Sequence, residues 1–322
     1  MFIRSGFFAL FFLVPLGALV FSYGHETAWA SFFFAALGNA VISVGSAAAG
    51  GIPLSEIGWD ILYFTVMLAV FAWINSPPPG LPLKLSGAGR MVAGSCLGAV
   101  LFAGVFFRSL SSPLFAGYLD SVINSLVSLY RSSGTDVVQN AMLESLTPEL
   151  VLDVIKSILL RGGSLVSCVA LFYICRQVSL ALARIAARFR GKTAPAGTPL
   201  SAFRVSPNLV WALSGCLLLL VGARAMKLRV PEIALWNILA LCVILYFAQG
   251  LGILQYFLSR PSVSPFLRLM LSVLLVMLFF SPVLNMVVIG GIVLLGIAEN
   301  WAPFRAPKHS GTPSTPEAGG GL

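Results

Sequence analysis

Apolar residues follow one another through this chain in unbroken blocks of about twenty, the length of an α-helix that crosses a bilayer. The strands of a membrane barrel would instead alternate in polarity over about ten residues. The blocks predict a first helix over 2–23 with Pro15 inside it, a second over 28–49, a third over 57–75 and a fourth over 87–107. The Pro77-Pro78-Pro79-Gly80 run ends the third, because proline lacks the N–H a helix needs. Further helices are predicted over 164–186, 208–225 and 231–258. Residues 264–299 stay apolar for longer than one ordinary span at about 1.5 Å per residue, so they read as two short helices meeting near Ser281-Pro282. Residues 1–23 place Arg4 ahead of an apolar run, but no small-x-small cleavage site precedes Gly24-His25-Glu26; they read as a retained first helix.

The segment 111–163 departs from this pattern. It holds Asp120, Asp136, Glu144, Glu149 and Asp153, and its apolar positions become periodic. Phe115, Leu119, Val122, Leu126 and Leu129 share one helical face, and Asp120, Asn124, Ser128 and Arg131 line the other. A second amphipathic helix is predicted to start at Thr147-Pro148-Glu149. Thr147 suits the N-cap, Pro148 the first helical position, and Glu149 the positive end of the dipole. Two stretches predict close helix approach: Ala35, Asn39, Ile42, Ser46 and Ala49 at three- and four-residue spacing, and the Gly94-Gly98 pair.

Composition agrees. Apolar residues make up 58% of the 322 and charged residues 10%, with mean hydropathy +0.95, where a soluble protein carries about 25% charge. The expected fold class is an all-α polytopic membrane protein, a bundle of about eight or nine transmembrane helices with amphipathic helices in 111–163. Residues 1–305 are expected to form one integral membrane domain, its halves 1–190 and 200–305 joined by a basic, proline-containing linker. The tail 306–322, rich in Pro, Gly, Ser and Thr, is expected to be disordered.

The net charge of +9 gathers in particular loops. Arg184, Arg188, Arg190, Lys192 and Arg204 surround the linker, and Arg305 and Lys308 close the chain, which predicts that both segments are cytoplasmic and that the chain resides in the inner (cytoplasmic) membrane. The acidic segment then falls outside, and so does the N-terminus if the first two helices both span, at odds with Arg4. No basic run interleaved with aromatics lies on a polar surface, so nucleic acid is not an expected partner. The five cysteines all lie in apolar segments without CxxC spacing and read as small apolar filler.

Catalytic chemistry is sparsely provided. The chain has two histidines, His25 and His309, and neither HExxH, nor a GxSxG elbow with a partner histidine, nor a P-loop. No enzyme activity, metal or cofactor is expected. The polar residues inside apolar spans are the better lead: Asn39, Asn237, Gln249, Gln255 and Asn285, with Arg176 and Arg224 nearer helix ends, where arginines snorkel to headgroups. On helix 231–258, Asn237 and Gln255 share a face with Ala248 and Gly252, Gln249 lies beside it, and Tyr246 adds a hydroxyl. Asn237, Tyr246, Gln249 and Gln255 are thus candidate ligand-binding residues for a small solute. The same amides would equally serve hydrogen bonds between helices, worth about 0.6 kcal/mol on average. At the end of the last apolar run, Glu299, Trp301 and Arg305 form a candidate cytoplasmic exit or docking point, with Trp301 as an interfacial anchor and Glu299 placed to pair with Arg305.

Three features together resemble a known pattern: Phe203-Arg204-x-x-Pro207, the helix from Asn237 to Gln249-Gly250, and Glu299-Asn300-Trp301 followed by Phe304-Arg305. They are similar to the YybS-like predicted membrane proteins, a bacterial family without a settled function. The resemblance covers about residues 200–305 and reaches the N-terminal half only in hydropathy; Pro303 departs from the family's ending. It implies a distant architectural likeness to the S components of energy-coupling factor vitamin transporters, at the level of fold alone. Two functions remain open. One is a transport-associated protein binding a small solute. The other is a non-transporting scaffold or envelope-assembly factor acting through protein partners at the cytoplasmic face. In both, the lipid bilayer is the surrounding medium.

Overall fold

The computed structural model describes residues 8–50, 54–77, 85–110, 117, 120–125, 128, 147–191, 193, 195, 197, 199–281 and 284–305. Helices make up nearly all of this, and no strand occurs among the described residues. In chain order the helices are α1 (Phe8–Tyr23), α2 (His25–Gly50), α3 (Leu54–Asn75), α4 (Gly87–Leu110), α5 (Pro148–Ile158), α6 (Ser164–Phe189), α7 (Leu209–Ala225), α8 (Arg229–Leu258), α9 (Pro265–Phe280) and α10 (Leu284–Ala298). The chain is an all-helical, multi-pass membrane protein. Most of the amphipathic helix expected before residue 131, and the tail expected to be disordered, fall outside the described residues.

Length and hydropathy qualify five helical stretches as spans among the described residues, or six if the bent pair α9 and α10 is one span. Leu13–Tyr23 and Leu209–Ala225 are apolar but shorter. With both of these the total is eight, or nine if α9 and α10 are counted separately, so the expected eight or nine is a loose count that includes the short helices. The break expected near Ser281-Pro282 is present: α9 and α10 meet at a bend of 119°. The predicted start of α5 is also present, with the Thr147 Oγ accepting from the Leu150 N–H at 3.3 Å.

The chain divides into two compact units, Met1–Gly197 with Ser214–Leu241, and Thr198–Leu213 with Cys242–Leu322. In the first, α1, α3, α4 and α6 surround a core that includes Leu16, Met67, Phe71, Phe172 and Cys175. Lipid tails are as apolar as leucine, so burial alone does not draw these helices together; close packing does. Gly94 abuts Val70 and Ile74 of α3, and Gly98 abuts Met67 and Phe172, so the Gly94-Gly98 spacing does what it predicts. Gly17 of α1 abuts the side chains of Ser179 and Phe71, and the Ser179 hydroxyl donates to the Val14 carbonyl at 2.9 Å. The small-residue face of α2 is only partly used. Ala35 packs against the core, whereas Ile42 and Ala49 are exposed.

Between α5 and α6 the helix opens into a wide turn, Leu159–Gly163, in which Gly162 takes φ 109°. That angle strains any residue with a Cβ, and a Cβ here would also strike Ala240 of α8. Tyr23, the last residue of α1, lies under the Arg190 guanidinium at 5.0 Å, so α1 and α6 run in the same direction. None of the five cysteines is in a disulfide; four are buried, but Cys96 is exposed, so it fills no core.

In the second unit, α8 and α10 cross at backbone contact. A Cβ on Gly250 would meet the Ile292 carbonyl, and one on Gly296 would meet the Tyr246 carbonyl. Glycine is what permits this approach. The short turn Leu200–Ala202 lies against Gly252 for the same reason.

Candidate functional site

The three side-chain amides of α8, Asn237, Gln249 and Gln255, are all engaged with backbone. In the first unit, the Asn237 side-chain N–H donates to the Leu160 carbonyl at 2.6 Å and to the Ile233 carbonyl at 2.9 Å. Leu160 sits in the wide turn, where Arg161 and Gly162 depart from helical angles. Asn237 therefore ties α8 to the backbone of that turn. Beside it, Arg161 faces Glu232 at 3.3 Å.

In the second unit, Gln249 is 2% exposed and uses both ends of its amide. Its Oε1 accepts from the Val205 N–H at 2.8 Å, and its Nε2 donates to the Gly296 carbonyl at 3.0 Å. Gln255 Oε1 accepts from the Ser201 N–H at 2.9 Å. Tyr246 is fully buried, with its hydroxyl 3.4 Å from the Asn300 amide nitrogen. Two of the candidate amides thus tie the 200–205 segment to α8.

The segment after α10 completes this junction. Arg305 Nε donates to Glu299 Oε1 at 2.7 Å, Nη2 pairs with the other carboxylate oxygen, and Nη1 donates to the Ser201 carbonyl at 2.8 Å. The two side chains are 2% and 6% exposed. Arg204 in turn donates to the Arg305 carbonyl at 3.1 Å. A lone charge at membrane depth costs about 2.5 kcal/mol or more. Here the planar guanidinium meets the carboxylate in a fork and spends a remaining N–H on backbone, which offsets that cost. The expected Glu299–Arg305 pair is present, and Trp301 beside it is 71% exposed.

The roles of Ser201, Gly250, Gly252 and Gly296 were not legible from spacing. The close approaches depend on which helix faces which, and a glycine in an apolar block carries no sign of its neighbour. Among the described residues no three His, Cys, Asp or Glu side chains gather where they would hold a metal ion. An apolar recess in the first unit, lined by Leu13, Tyr63, Phe64, Met67, Leu68 and Leu171, has a volume of about 30 Å³, far below the several hundred that a metabolite needs.

The family model described as "Predicted membrane protein (DUF2232)" matches residues 87–297. The match runs from the first residue of α4 into the last turn of α10. It includes all four candidate amide and tyrosine positions and stops before Glu299. It also reaches well into the N-terminal half, where the resemblance rested on hydropathy alone. No curated protein and no solved structure matches the chain.

Proposed function

The chain belongs to the DUF2232 family of predicted membrane proteins, and from that premise we propose that it works as a non-enzymatic membrane scaffold or assembly factor, acting through protein partners on its basic side. One observation carries this reading: the side-chain amides of Asn237, Gln249 and Gln255 are all hydrogen-bonded to backbone. A solute-binding role like that of an S component, which the YybS-like resemblance suggests, needs polar groups turned toward a ligand. Here they hold the protein together. The exposed Trp301 and the arginines 260 and 268 offer a polar, cationic rim for a partner.

Native purification followed by mass spectrometry separates the two. The expected result is one protein partner in fixed ratio and no recurrent metabolite. Gln249→Leu sharpens the test. It strands the Val205 N–H and the Gly296 carbonyl, at about 1–3 kcal/mol for each. The expected outcome is lower stability, whereas a solute-binding residue would lose ligand affinity with the fold unchanged. A metabolite retained by the wild type and lost in Gln249→Leu at equal stability would reverse the reading.

The orientation follows from charge. The linker 191–207 has no apolar block long enough to cross, so Arg184, Arg188 and Arg190 before it and Arg204 after it lie on one side. The cytoplasm of the inner membrane is that side under the positive-inside rule, and the C-terminus shares it. A cysteine placed at Ala306 is expected to resist membrane-impermeant thiol reagents in intact cells and to react after lysis; labelling in intact cells inverts the assignment.

A further inference from the structure

The two ends of the α9–α10 pair lie at one level of the second unit. Ser201 donates its N–H to Gln255, three residues before α8 ends, and its carbonyl accepts from Arg305, seven residues after α10 ends. A single span bent in the middle would leave its ends on opposite faces of the membrane. Here the chain enters and leaves on the face that holds Ser201.

The pair is also too short to reach the other face and return. α9 has 16 residues and α10 has 15, about 24 and 22 Å at full length, against a hydrocarbon core of about 30 Å. The 119° bend shortens their reach further. Their contacts with α8 gather in one stretch of it. Phe279, next to the end of α9, meets the Phe247 ring at 6.4 Å between centroids. Gly250 abuts Ile292, Gly296 abuts Tyr246, and the Asn300 amide nitrogen lies 3.4 Å from the Tyr246 hydroxyl. Tyr246 stands nine residues before Gln255, about 14 Å along α8, and one leaflet of the core is about 15 Å deep.

The surface of α9 fits that depth. No residue of α9 is buried. Phe266, Leu271, Leu274 and Phe279, spread around the helix, are all exposed. Its one charge, Arg268, stands in the first turn, from which an arginine reaches the headgroups.

We infer that α9 and α10 form a half-depth hairpin, an apolar wedge seated among the acyl chains of the leaflet on the Ser201 side. Lipid is the occupant of the exposed surface of α9, because the depth of the hairpin matches one leaflet and its single charge stands at the entry. The wedge depends neither on the scaffold reading nor on which face is cytoplasmic.

The test reads depth in the full-length protein. Single cysteines, Leu269→Cys, Val273→Cys and Phe280→Cys, are introduced in a Cys96→Ala background, which leaves no other exposed thiol. All three positions are exposed, so the labels are expected to leave the fold intact, which the unfolding midpoint checks. Each carries a nitrobenzoxadiazole fluorophore in nanodiscs of phosphatidylcholine brominated at a chosen acyl carbon. The most effective bromine position is expected to move steadily down the chain from 269 through 273 to 280, and aqueous iodide is expected to leave 280 unquenched. Met226→Cys, in the exposed turn between α7 and α8, is the iodide-sensitive control. Two full crossings would instead make 273 the deepest position and return 280 to the water, where iodide quenches it; that profile overturns the hairpin. Quenching of 280 by neither bromine nor iodide would mean that protein covers α9, and overturns the lipid wedge.

Discussion

Arg305→Ala is expected to lower the stability of the second unit by about 3–5 kcal/mol, the cost of leaving one partner of a buried ion pair without the other. The substitution strands the Glu299 carboxylate, whose side chain is 6% exposed, and removes the donor to the Ser201 carbonyl. It also releases the contact through which the segment after α10 holds the 200–205 segment. Glu299→Leu combined with Arg305→Met is expected to lose much less, because no orphaned charge remains. Thermal unfolding in detergent, followed by near-ultraviolet circular dichroism, checks both. Trp301→Ala serves as a control, since its ring is exposed and takes no part in the Glu299–Arg305 pair. An Arg305→Ala midpoint equal to wild type would mean that the pair adds nothing to the fold.

The second large effect concerns the crossing of α8 and α10. Gly250→Ala and Gly296→Ala each place a methyl group against a backbone carbonyl, Ile292 in one case and Tyr246 in the other. A carbonyl held in a helix cannot rotate away, so the helices must part. The expected cost is about 1–3 kcal/mol for each change, with further loss in the pair. Parting the helices also stretches the bond from Gln249 to the Gly296 carbonyl. Gly290→Ala and Gly291→Ala have open space around the new methyl and are expected to be neutral or slightly stabilising, because alanine is the better helix former. The same unfolding assay separates the two sets. Equal midpoints across all four variants would show that α8 and α10 do not cross at contact distance.

Several local features were legible in the sequence. Thr147-Pro148-Glu149 starts a helix because cap, ring and carboxylate each answer a need of the first turn, and all three lie within three residues. The break between α9 and α10 follows from a length limit and a proline. The Glu299–Arg305 pair lies within six residues and one turn of chain. The candidate residues of α8 were located correctly as polar positions in an apolar helix, but what their amides bind was not legible. Asn237 meets a carbonyl 77 residues away, and Gln249 meets groups 44 and 47 residues away. Arg176 was read as a snorkelling charge; its guanidinium lies 6.0 Å from the Phe21 ring of α1, a contact that no local spacing encodes.

By itself the sequence determined that lipid surrounds this chain, where its helices begin and end, and which loops carry the positive charge. Those properties add up residue by residue, since each apolar side chain gains and each charge loses on transfer from water wherever it stands in the chain. Only the tertiary structure decided which polar groups are satisfied and which are left over. In an apolar medium a hydrogen-bonding group must find its partner within the protein, and that partner is chosen by the rotation and crossing of helices remote in sequence. Hence the amides of α8 became struts of the fold.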